Sequence, residues 1–64
     1  MQAFTLYGLD ENHRAVSVEI LKAETLDDEL RRLARERLQT FAEVELWTGS
    51  RRLLAITRRQ RPLI

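Results

Sequence analysis

Three glutamates, Glu19, Glu43 and Glu45, stand in segments that alternate apolar and polar residues. Such segments read as strands, and the phase of the alternation puts the three carboxylates on one face of a sheet. Carboxylates brought together can ligate a hard cation or divide acid and base roles between them. Catalysis needs further groups converging on the same point. The single histidine, His13, falls in an expected turn away from the glutamates, and there is no cysteine. Ser17, Ser50 and the threonines lack a base in a plausible relation to them, and Gly8 and Gly49 fit no phosphate-loop pattern. The expectation is a protein that is not an enzyme and carries no cofactor or metal. Its glutamates are then rim carboxylates, solvated or paired with Arg51 or Arg52 across a hairpin or with a partner chain.

The elements that position these residues can be read from periodicity. "TLDDELRRLARERLQ", residues 25–39, carries Leu26, Leu30, Leu33 and Leu38 with Ala34 at helical spacing. Thr25 is the expected N-cap, with Asp28 as its capping-box partner. Asp27 to Arg31 and Asp28 to Arg32 are acid-first pairs four residues apart, which makes the arginine-rich stretch a solvated helix face. Alternating runs at 3–9, 15–23, 41–47 and 52–57 give four strands, in the order ββαββ.

Matching parities pair Phe4 with Ile20 and Leu6 with Val18 around a loop at residues 11–13, with Asn12 or His13 at positive φ. In the second hairpin Val44 and Leu46 should share a face with Leu54 and Ile56. A two-residue Gly49-Ser50 turn breaks that match, so an odd-length loop is expected. The fold class is α+β: a four-stranded, mainly antiparallel sheet in the order 2-1-3-4, with one helix on one face. The expected core includes Phe4, Leu6, Val16, Val18, Ile20, Val44, Leu46, Leu54 and Ile56.

That assignment leaves Tyr7, Leu21, Phe41, Trp47 and Leu53 among the residues of the opposite class, with Phe41 able to belong to the helix connection instead. Nine of the fifteen residues in that class (3, 5, 7, 9, 15, 17, 19, 21, 41, 43, 45, 47, 53, 55 and 57) are apolar, more than suits a face open to water. A chain of 64 residues also buries little of its surface alone. Both points favour a homodimer formed through this face or along a sheet edge, anchored by Tyr7, Leu21, Trp47 and Leu53. The alternative is a monomer whose C-terminal tail folds over the face.

Charge is uneven although it sums to only +1. Residues 1–30 carry a net −5 and residues 31–64 a net +6. The domain is expected to span 1–57, followed by a basic tail at 58–64. Arg51, Arg52, Arg58, Arg59 and Arg61 form a candidate surface for single-stranded nucleic acid. Against that stand a solvated terminus, or docking on a partner's acidic half. No apolar run approaches a membrane span, and the N-terminus lacks the pattern of a secretion signal, so a cytoplasmic location is expected.

The strand start "FTLYGLD", the following "ENHRAVSVEIL", the acid-capped helix and "VELWTGSRRLLAI" together resemble a family of small bacterial proteins, chiefly alphaproteobacterial, with no assigned activity. The resemblance runs to about Thr57 and is most specific in the tryptophan hairpin. It implies a bacterial, cytoplasmic protein and assigns no functional residue.

Overall fold

A computed structural model describes residues 2–58 of the chain. Strands β1 (Gln2–Leu9) and β2 (Ala15–Ala23) precede helix α1 (Asp28–Glu36), which runs on into a 3-10 turn at Arg37–Gln39. Strands β3 (Glu43–Thr48) and β4 (Arg51–Thr57) follow. The sheet order is β2-β1-β3-β4, antiparallel at every pairing, as the connectivity demands when the helix crosses one face. Among the described residues no helix is long and apolar enough to cross a membrane.

The helix begins two residues later than its capping pattern suggests. Asp27, not Thr25, is the N-cap: its backbone is extended and its side-chain Oδ1 accepts from the Leu30 N–H at 3.0 Å. A carboxylate satisfies that orphan donor and also complements the positive end of the helix dipole. Asp27 is thereby taken from the pairing with Arg31, while Arg32 lies 4.0 Å from Glu29 rather than on Asp28. Leu30 and Ala34 are the buried helix positions. Ala34 is 1% exposed, and its small side chain lets the helix sit close to the sheet.

Two β-bulges decide which side chains meet the helix. The first loop forms as expected near its tip: the Asp10 N–H donates to the Arg14 carbonyl at 2.9 Å, Leu9 opposes Ala15, and His13 takes φ +64°. Asp10 Oδ1 also accepts from the N–H groups of Asn12 and Arg14. Then the register slips. Gly8 opposes Ser17, leaving Val16 as the extra residue, and the rest of β2 is turned over. Phe4 consequently pairs with Leu21, not Ile20, and Leu6 with Glu19, not Val18. Val16, Val18 and Ile20 therefore leave the expected core and are 57%, 57% and 59% exposed. Leu21 and Ala23 take their place against the helix layer.

In the second hairpin a bulge has the opposite effect. The turn is the two-residue Gly49-Ser50 connection, with Thr48 opposite Arg51. A positive φ at Gly49 (+59°) and none at Ser50 follows the type II′ pattern. Leu53 is the extra residue beyond it, so Leu46 meets Leu54 and Val44 meets Ile56. The expected sharing of one face by these apolar side chains holds; the odd-length loop does not, because the bulge supplies the missing residue within the strand.

The buried centre is Phe4, Leu6, Leu30, Ala34, Val44 and Leu46. At one end Phe41, from the connection into β3, lies over Gly8 on this same helix side. A Cβ on Gly8 would come within 2.5–2.7 Å of three carbons of the Phe41 ring. Glycine is required there by the close approach of the ring, not by an unusual φ. Gly8→Ala is expected to lower stability by about 1–3 kcal/mol, the range for overpacking a filled site. A shift of the urea midpoint at unchanged slope would register it.

Candidate functional site

Side chains on the face opposite the helix form three rows across the sheet. Ile20, Thr5, Trp47 and Arg52 make the first row. Val18, Tyr7, Glu45 and Ala55 make the second, and Ala15, Leu9, Glu43 and Thr57 the third. The β2 end of the face is apolar and exposed, and the polar groups gather on β3 and β4.

Tyr7 and Trp47 stand on this face as the alternation indicated, with ring centroids 6.3 Å apart and planes at 88°. That edge-to-face contact sets the positive ring edge of one against the negative face of the other. The two leucines of the expected anchor set lie elsewhere. Leu21 was turned to the helix side by the Val16 bulge, and Leu53, in its own bulge, packs against the core cluster. The exposed apolar residues that take their place are Val16, Val18 and Ile20.

The three glutamates are not one cluster. Glu19 faces the helix layer, where Arg37 Nε and Nη2 donate to its two oxygens at 2.7 and 3.0 Å. This bidentate pair ties the end of the helix to strand β2. The hydrogen bonds from Arg37 hold the Glu19 carboxyl below the usual carboxylate range, against a smaller upward push from burial.

Glu45 is the buried member, 8% exposed between Tyr7 and Ala55. Its Oε1 accepts from Trp47 Nε1 at 2.9 Å, and Arg52 Nη1 lies 3.5 Å from its Oε2. A carboxylate in that position needs both partners, since an uncompensated buried charge is costly.

Glu43 meets an unexpected neighbour. The His13 Nδ1–H donates to its Oε1 at 2.7 Å, so the histidine expected in a distant turn lies at the site. The signal was in the strand order. With β1 antiparallel to β3, Leu9 opposes Glu43, and the loop leaving β1 hangs over the start of β3. The donor atoms of His13, Glu43 and Glu45 all lie within 4.8 Å of one another.

The basic residues are partly spent within the chain. Arg52 engages Glu45, and the Arg58 guanidinium donates at 2.8 Å to the carbonyls of Leu38 and Phe41. Arg51 is exposed. Arg59 and Arg61 lie outside the described residues.

No family model matches the chain, and neither a curated protein nor a solved structure shows significant similarity to it.

The Glu19–Arg37 pair has a pH signature. A carboxyl whose pKa is lowered by folding stabilises fully at neutral pH, and that contribution is lost as pH falls through its folded value. Both side chains are about a third exposed (34% and 32%), which limits the contribution to about 0.2–1 kcal/mol. Glu19→Gln is expected to lose this amount at pH 7 and to narrow its deficit toward pH 3, as followed by urea denaturation at both values.

Proposed function

We propose that this chain is a non-catalytic interaction module that self-associates, two copies packing face to face through the sheet surface opposite the helix. The observation that carries the reading is the exposure of Val16, Val18 and Ile20, each more than half open to water, with Val18 in the row of Tyr7 and Ile20 in that of Trp47. Three large aliphatic side chains on an uncovered face exceed what scattered exposure explains. Burying them contributes on the order of 1 kcal/mol for each side chain in each copy.

A second copy of the chain suits the face better than an unrelated partner of opposite charge. The central carboxylate, Glu45, has its donors within its own chain, and Glu43 has His13. The face can therefore lose water without stranding a charge, and it presents no strong field that calls for a complementary one. Packing two such sheets buries the apolar rows against each other about 10 Å apart and leaves the helices outside. A two-fold axis makes the contact self-complementary. Association also compensates for the small core of so short a chain.

A nucleic-acid accessory role is the weaker alternative, because Arg52 and Arg58 serve internal acceptors and the aromatic pair is edge-on rather than a flat stacking platform.

Sedimentation equilibrium of the full chain tests the proposal. A concentration-dependent rise from 7.6 kDa toward twice that mass is expected. Ile20→Lys should weaken association by about thirtyfold or more, corresponding to about 2 kcal/mol for an interface anchor. A parent chain that remains at monomer mass up to about 1 mM, a standard free energy weaker than about −4 kcal/mol, would refute self-association.

A further inference from the structure

We infer that His13, Glu43 and Glu45 form a binding site for one divalent transition cation of the Zn2+ or Co2+ type. The site lies on β3 beside the β1–β2 loop, two strands across the open face from the aliphatic residues of β2. It combines one imidazole nitrogen with two carboxylates, a mixed donor set that favours borderline metals over the oxygen-seeking Mg2+ and Ca2+. Three protein ligands leave a fourth position for water or an exogenous ligand, the arrangement of an open rather than a structural zinc site.

The geometry is close to what an ion requires. Metal–nitrogen and metal–oxygen bonds of about 2.0–2.2 Å place donors about 3–4 Å apart around the ion. The three donor atoms already lie within 4.8 Å of one another, and the His13 Nδ1–Glu43 Oε1 separation is 2.7 Å. A proton occupies that short gap in the free protein, and an ion would replace it, with the two donors moving slightly apart. The His13 side chain is 67% exposed, so it can adjust and the ion has an entry path. Glu43 and Glu45 are fixed two residues apart on one strand, on the same face.

Outer contacts support the ligands. Trp47 Nε1–H donates to Glu45 Oε1, and Arg52 approaches the other oxygen, an arrangement that orients a ligating carboxylate. The loop is equally constrained: Asp10 Oδ1 holds the N–H groups of Asn12 and Arg14, and His13 itself occupies a left-handed conformation. That conformation is uncommon for a residue other than glycine. The two carboxylates outnumber the one guanidinium in contact with them, which favours a cation.

The chain carries its own reporters. Trp47 is the single tryptophan and His13 the single histidine, so each signal belongs to one residue. Untagged, chelator-treated full chain would be titrated with Co2+ and then challenged with Zn2+. One equivalent of Co2+ should bind saturably at about micromolar concentration, a free energy near −8 kcal/mol. It should quench Trp47 fluorescence and broaden the His13 ring proton resonances, and Zn2+ should reverse both effects. Glu43→Gln, which keeps the shape of the side chain, and His13→Ala should each weaken binding by about tenfold or more. The proposal fails if no saturable signal develops up to about 1 mM Co2+, corresponding to about −4 kcal/mol. It fails equally if the His13 ring resonances of the parent chain stay sharp, a result that needs no variant to fold.

Discussion

Side chains alternate across a strand, so one extra residue in a ladder turns every side chain beyond it to the other face. This chain uses that device twice, at Val16 and at Leu53, and the rest of its structure depends on the result. The Val16 bulge sends Leu21 and Ala23 to the helix and exposes Val18 and Ile20. The Leu53 bulge keeps Leu54 and Ile56 in line with Leu46 and Val44 despite a two-residue turn. Without the second, Glu45 would face Leu54. With it, Glu45 stands opposite Ala55 on the open face, where both of its oxygens find donors.

The two sides of the sheet solve their polar problems separately. On the helix side Glu19 is a part-exposed charge, and Arg37 reaches it from the turn that ends the helix. On the open side Glu45 is enclosed by Tyr7, Trp47 and Arg52. Gly8 lies where the two solutions meet, between Val44 and Ser17, leaving room for the Phe41 ring over the sheet. The contacts that fix the helix layer also fix what the other face presents. That face holds an aliphatic β2 end, an aromatic centre, and the His13–Glu43–Glu45 corner.

Much of this was legible in the sequence, and the failures share a cause. The order of elements, the tip of the first loop and the outward placement of Tyr7, Glu43, Glu45 and Trp47 follow from local periodicity, and the strand order from the helical crossover. Parity also put Val44 and Leu46 on one face with Leu54 and Ile56, though it did not give the two-residue turn and bulge that pair them. It could not locate the bulges, because a strand such as "AVSVEILKA" is apolar at both parities: Val16, Val18 and Ile20 on one side, Leu21 and Ala23 on the other. Either phase buries aliphatic groups, and the one adopted also brings Glu19 to Arg37. The N-cap was displaced for a similar reason, since Thr25, Asp27 and Asp28 are all competent caps. His13 was missed because its partner is thirty residues away and becomes its neighbour only through the pairing of β1 with β3.

Whether the Val16 bulge turns Val18 and Ile20 outward, onto the face proposed to pack against a second copy, can be measured one position at a time. The chain has no cysteine, so Val18→Cys, Ile20→Cys and Leu21→Cys each introduce a unique thiol whose labelling rate reports its exposure. Fast labelling is expected at positions 18 and 20 in dilute protein, slowing as concentration rises, with slow labelling at position 21 throughout. Fast labelling at 21 with slow labelling at 20 would contradict the register, and rates at 18 and 20 that ignore concentration would contradict the association.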